Sequence, residues 1–425
     1  MTAPAHAPRR SRLPGRAELL VIVMLLAVPL VAVQGPAHTT VLDAINALFL
    51  ALYWCYVLAR RLRLAVPLQL PMWLILIGSV GGLLSADAPG VAVLTIAQDV
   101  YLYVWFITLA DFLARFCRPA VVVAAWTMVA TAVALLTVAD AHTAALGGQF
   151  AGDVRAVGTF ENPNMFGNYL VVSFFLCWAA AGGGRPAFYC AMPLLVAGVL
   201  SSASNGALLG LSTGTLTALL LGPTTVPQRR VGLVLLAAGA GVVLFALSFE
   251  RVLEESLGMF AGPRGAIGGG VLKAYAERSD VWAGLVESVA RVPTGVGPGN
   301  FKTETAYGFY SAHNEYLGML AERGPLGLLG WCGILLGAGL LVLRLRAAAA
   351  RGDRPFGVAP LFGLVAALAA HAAVVEMFHF RHVWLALALL TAVAAQRATA
   401  QQGAAPRRAA TGPPARAARV LVEAA

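Results

Sequence analysis

The chain has 425 residues, 59% of them hydrophobic and 12% charged, with mean hydropathy +0.77 and a formal net charge of +10. A soluble domain carries about a quarter charged residues, so this much apolar side chain exceeds what one water-facing core can hide, and lipid must solvate much of the surface. The basic residues are not interleaved with aromatics as on a base-stacking platform, which argues against nucleic acid, and Cys55, Cys117, Cys177, Cys190 and Cys332 lack the C-x-x-C spacing of a zinc site or a disulfide framework.

Apolar stretches of spanning length recur about 12 times along the chain. They fall at 17–34, 40–59, 69–85, 92–114, 119–139, 164–181, 187–202, 204–222, 231–249, 313–343, 356–375 and 383–396. The first follows Arg9, Arg10, Arg12 and Arg16; no small-residue cleavage site follows it, so it reads as a retained span and not a signal peptide. Every second connection is rich in arginine: Arg60, Arg61 and Arg63; Arg115 and Arg118; Arg185; Arg229 and Arg230; Arg344, Arg346, Arg351 and Arg354; then Arg397, Arg407, Arg408, Arg416 and Arg419. The alternate loops at 34–40 and 85–90 carry no lysine or arginine. This positive-inside alternation puts both termini in the cytoplasm and turns the net charge into a topology signal.

The expected organisation is a cytoplasmic tail (1–16), nine spans (17–249), a large external loop that is partly helical (250–312), three spans (313–396) and a disordered cytoplasmic tail (397–425), all within an all-α fold. The long loop has nearly balanced charge, and Val281, Trp282, Leu285, Val286 and Val289 repeat as on a short amphipathic helix.

Polar chemistry concentrates in three segments. Arg155 to Asn164 ends in Asn162-Pro163-Asn164, which suits a helix start; it reads either as a polar cap or as amides and an arginine facing a sugar and an anion. Glu277-Arg278-Ser279-Asp280-Val281-Trp282 leads to the glycine-rich run Pro293–Phe301, which reads either as a phosphate cradle or as a loop turning back to the membrane. The third, Ser311-Ala312-His313-Asn314-Glu315, opens a span and runs into Glu322-Arg323-Gly324-Pro325. A histidine there is either an interface cap or part of a functional path, since polar groups at membrane depth are costly.

With these residues in view, the chain resembles the O-antigen ligase and polymerase family of bacterial envelope glycosyltransferases. The resemblance rests on Gly158-Thr159-Phe160-Glu161-Asn162-Pro163-Asn164, on Arg278 with Trp282, on Pro293 to Phe301, and on His313-Asn314 followed by Gly324 and Gly327. It covers about 155–330, whereas the first five spans match only in being apolar. One departure stands out: Ser202-Ala203-Ser204-Asn205-Gly206 has asparagine where the family often has arginine, so Arg155 and Arg264 are the candidate substitutes.

The resemblance implies a GT-C-like bundle in the bacterial inner membrane with its active site on the periplasmic side. The donor would be a glycan on an undecaprenyl diphosphate carrier, the acceptor a lipid or glycan hydroxyl, and the other partners membrane lipids, with no cofactor; no Asp-x-Asp cluster lies in an external loop, so the reaction is expected to be metal-independent. Arg278, with Arg155 as a second cation, is expected to meet the diphosphate, because guanidinium binds phosphate oxygens bidentately and stays charged. His313 is the candidate general base, since imidazole titrates near neutral pH; a hydrogen bond from it to the diphosphate is the open alternative. Asn164, Asn205, Arg264 and Asn314 are the candidate substrate contacts. Ligase and polymerase differ only in acceptor, with ligase the first reading. A secondary transporter is the alternative from another class, with Asp43, Asp99 and Asp111 near the spans as its markers.

Overall fold

Backbone amides in lipid have no water to bond, so apolar chain crosses a membrane as helix or as a closed barrel. The structure, a computed structural model, describes residues 15–30, 40–142, 156–160, 162–221, 229–230, 233, 281–305, 308–349 and 356–410. Its helices are α1 (Arg16–Ala27), α2 (Val41–Ala59), α3 (Gln69–Leu83), α4 (Pro89–Phe116), α5 (Pro119–His142), α6 (Pro163–Gly182), α7 (Met192–Ser201), α8 (Asn205–Leu221), α9 (described over 281–291), α10 (Glu315–Ala349), α11 (Val358–Ala372) and α12 (Arg381–Ala410). A short antiparallel ladder pairs Thr303–Thr305 with Gly308–Tyr310.

Among the described residues, five helices are long and apolar enough to cross a membrane: Leu42–Ala59, Pro89–Phe116, Pro119–Ala139, Pro163–Gly182 and Glu315–Ala347. Shorter apolar helices cover Gln69–Leu83, Pro186–Ser201, Asn205–Leu221 and Val358–Ala372. The chain is thus a helical membrane protein. The expected span at 231–249 lies outside the described residues. The stretch at 187–202 is a 3-10 turn (Pro186–Cys190) running into α7, because Pro186 and Pro193 interrupt the regular ladder. The last helix continues over 397–410, where the sequence suggests a disordered tail; the Ala, Gln and Arg of this stretch have high helix propensity although it is not apolar.

Long-range contacts join connections that the arginine alternation assigns to one side. Arg118 at the start of α5 pairs with Glu18 of α1 at 2.7 Å. Gln396 of α12 donates to the carbonyls of Leu113, Ala114 and Cys117 at the end of α4, and the Gly357 amide bonds Ala179 near the end of α6. At the other end, Asn300 accepts from the Ala88 amide at 2.8 Å, tying the α3–α4 connection to the glycine-rich run.

Two helix crossings are built on small residues. Gly206, Gly210 and Gly214 line one edge of α8 at four-residue spacing and press on α11, where a Cβ at Gly214 would sit 2.4 Å from the Gly363 carbonyl oxygen. Gly78 and Gly82 of α3 meet α10, with the Arg323 and Glu322 carbonyl oxygens each 2.4 Å from the position a Cβ would take. Without a hydrophobic force between helices in lipid, such close backbone approach drives association. Gly214→Val is therefore expected to destabilise the protein by about 1–3 kcal/mol through overpacking. Gly339→Ala, which meets nothing within 4 Å, should be silent. Thermal unfolding in detergent measures both.

Candidate active site at the arginine-poor end

The start of α10 organises the site. His313 precedes the helix with φ +46°, a left-handed conformation that costs a non-glycine residue about 1–2 kcal/mol. Asn314 closes the helix end, its Oδ1 accepting from the Leu317 amide at 3.1 Å. Ala312 is fully buried, and its carbonyl accepts from the Trp282 indole at 3.3 Å. That bond sets α9 against the His313 turn. Val281, Leu285, Phe301, Ala312 and Ala321 form a small core there, separate from the main one. The expected amphipathic helix is present, except that Val286 is exposed, on the face turned away from this core.

Most amides of the glycine-rich run are engaged within the protein. The Val296 amide bonds the Ala321 carbonyl at 2.9 Å and the Gly297 amide bonds that of Glu322 at 3.0 Å, while Gly299 donates to the Glu322 side chain. Gly295 has φ +95°, and a Cβ there would lie 2.4 Å from the Glu322 carbonyl oxygen. The run is a strap seated on α10, which favours the loop-return reading over the cradle. Gly324, at φ +63°, bends α10 just below it.

The turn between α11 and α12 clasps the His313 turn from the other side. Glu376 accepts from the Ser311 side chain and the Ala312 amide, and burial pushes its carboxyl above the usual range. Glu315 accepts in return from the amides of Met377 and Phe378. His379 follows, its Nε2 bonded to Asp99 Oδ1 at 2.8 Å. Asp99 Oδ2 lies 3.0 Å from Arg323 Nη2, and Arg323 also reaches Glu322 at 3.1 Å and Ser79 Oγ at 3.1 Å. Arg323 is nearly fully buried, with its guanidinium over the Phe378 ring.

The candidate substrate contacts Asn164 and Asn205 fall at the same end. Asn164 lies in the first turn of α6, its amide donating to the capping Asn162 side chain at 2.7 Å, and its Oδ1 accepts from Ser204 Oγ at 2.8 Å. Asn205, next along and exposed, opens α8. One turn into α6, Asn168 links two buried histidines, His371 and His382, at 2.8 Å each. The structure thus joins Asn164 to the Asn205 turn and clasps the His313–Asn314 turn with residues 376–378. Arg155, Arg264 and Arg278 lie outside the described residues.

Sequence reasoning assigned no role to Asn168, Glu315, Glu376, His379 or Arg323. The available signal was complementary: Asp99 sits within one span, and Arg323 follows the start of another. Asp43, Asp99 and Asp111, the markers of a transporter, are each engaged, with Arg381, Arg323 and Arg115 respectively. Among the described residues, no group of three or more His, Cys, Asp or Glu is placed to hold a metal ion. A cavity of about 950 Å³ opens at the arginine-rich end, lined by Arg115, Arg118 and Arg397 and by none of the site residues above.

No curated protein matches this chain. Residues 190–332 match the family model described as O-antigen ligase. That segment runs from the end of the 3-10 turn into α10 and takes in Asn205, the glycine strap and the His313 turn, so over this third of its length, and with these site residues in it, the chain is similar to the O-antigen ligase family.

Proposed function

We propose that this protein transfers a glycan from an undecaprenyl diphosphate carrier to an acceptor hydroxyl at the periplasmic face of the bacterial inner membrane, with both termini in the cytoplasm. The first acceptor is the lipid A–core, which makes it a ligase. The observation that carries this reading is the Trp282–Ala312 hydrogen bond: it brings the chain that follows Arg278 onto the turn that holds His313. Arg278, with Arg155 and Arg264 as further cations, would then meet the diphosphate beside the imidazole. The leaving diphosphate gathers negative charge in the transition state, and guanidinium groups held in place stabilise that charge without reorganising. Asn164, Asn205 and Asn314 would bind sugar hydroxyls or phosphate oxygens.

The test is incubation of purified protein with lipid-linked glycan and lipid A–core, with and without chelator. Transfer that continues in chelator is the expected result. Transfer only onto a second lipid-linked repeat would make the protein a polymerase, and no transfer to any acceptor would overturn the reading. Deleting the gene separates the same pair in cells: a ligase leaves long chains unattached on the carrier, a polymerase leaves single repeats.

A further inference from the structure

The cavity at the arginine-rich end takes no part in the chemistry at the other end of the bundle. We propose that this cavity and a neighbouring apolar groove form one binding site for an anionic phospholipid, with the phosphate among the arginines and an acyl chain in the groove. The proposal uses the orientation given above, which puts this end in the cytoplasmic leaflet, and it is independent of the glycosyl-transfer reading.

Two spaces meet at Phe116. On one side lies the cavity of about 950 Å³ between the end of α4, the start of α5 and α12, with Arg115, Arg118 and Arg397 in its wall. On the other lies a groove of about 560 Å³ between α1, α2 and α4, lined by apolar and aromatic side chains with Arg16 at its mouth. Phe116 lines both and is 42% exposed. Each volume falls in the range of about 300–1,000 Å³ usual for small-molecule sites. A hydrogen-bonded chain also joins them. Tyr53 lines the groove, its hydroxyl donates to Asp111 in the cavity wall at 2.6 Å, and Asp111 holds Arg115 at 2.7 Å.

The charge suits an anion. Among the described residues, four arginines and one carboxylate, Asp111, line the two spaces. Glu18 pairs with Arg118 at 2.7 Å from outside both linings, and even with it cations remain in excess. The Arg185 guanidinium is 6.0 Å above the ring centre of Phe356, another residue of the cavity wall. The positive-inside rule accounts for arginines in these connections but does not gather them around a cavity. Basic pockets between spans on the cytoplasmic side hold lipid headgroups, and guanidinium grips phosphate oxygens bidentately.

The depth suits a chain. Along α2 the groove runs from Tyr56, near the arginine-rich end, to Ile45, about 16 Å of helix. That is half of a hydrocarbon core about 30 Å thick, the depth of one leaflet. Leu48 and Leu52 on its rim are exposed, whereas Phe49 and Phe112 at its base are buried. A free phosphate has no use for such a groove, so the pair of spaces favours a lipid.

The experiment is native mass spectrometry of the full chain with phosphatidylglycerol or phosphatidylcholine of matched acyl chains, together with crosslinking by phosphatidylglycerol that carries a photoactivatable acyl chain. Phosphatidylglycerol adducts should exceed phosphatidylcholine adducts by about tenfold or more, with crosslinks in peptides covering 16–23, 45–56 and 112–116. The double variant Arg115→Gln/Arg397→Gln should bring the ratio near one, and Leu52→Trp, which fills the groove, should remove most of the phosphatidylglycerol adduct. Equal adducts of the two lipids on the wild type, or crosslinks confined to other helices, would overturn the site, and both are read without any variant. An unchanged ratio in a double variant that melts with the wild type would overturn it too. Full displacement of the adduct by inorganic pyrophosphate would make the occupant a free phosphate and sink the lipid. Absence of glycan transfer by the wild type overturns the function reading alone and leaves this site standing.

Discussion

Replacing Arg323 with methionine is expected to cost about 3–5 kcal/mol of stability, among the largest losses any single substitution in this chain should cause. Asp99 is wholly buried and Arg323 is only 4% exposed in its side chain. Removing the guanidinium leaves the Asp99 carboxylate with His379 alone, frees Glu322, empties the space beside Ser79 and removes the cation from the Phe378 face. Methionine fills much of the volume but none of the charge. Thermal unfolding in detergent measures the loss, and a variant melting with the wild type would mean that the pair does not form. Arg115→Ala provides the contrast. Its bond to Asp111 is shorter, 2.7 Å against 3.0 Å, but the arginine is 36% exposed, so the expected change is below about 1 kcal/mol. Adding Asp99→Asn to Arg323→Met should recover part of the loss, because the penalty lies mostly in the stranded charge.

The helices were legible because lipid demands long apolar runs, and the arginine alternation ordered their ends before any contact was known. Helix ends at Gln69, Pro119 and Pro163 fall where polarity or proline marks them. The α8–α11 crossing was written in Gly206, Gly210 and Gly214, a spacing that means little until the partner helix is known. What could not be read was pairing. Asp99 and Arg323 are 224 positions apart, and nothing local in either span says they meet. Glu376 and His379 sit in a connection too short to draw notice, yet that turn clasps residues 311–315 through four hydrogen bonds that only tertiary packing creates. The glycine run shows the converse. Its composition suits a phosphate cradle, but the amides of Val296, Gly297 and Gly299 are spent on α10, because a glycine that lets a ligand approach lets a helix approach equally well.

Arg278→Ala and His313→Gly are each expected to abolish glycan transfer while the protein still inserts and accumulates in the membrane. Glycine is the informative replacement at 313: at φ +46° it removes the imidazole and relieves the backbone, whereas alanine keeps the strain, so a dead but stable His313→Gly isolates the ring from the fold. The two positions should also respond differently to conservative change. Lysine at 278 keeps the charge but loses the planar fork, so it should rescue poorly if both donors engage the diphosphate. Glutamine at 313 keeps a hydrogen-bond donor, so it should retain part of the rate if the ring binds phosphate and none if it accepts a proton. Initial rates at saturating donor therefore decide between the two roles of His313: partial activity in His313→Gln assigns the ring to the diphosphate, and its loss assigns the proton to the ring. Full activity in both Arg278→Ala and His313→Gly would remove this end of the bundle from the chemistry altogether.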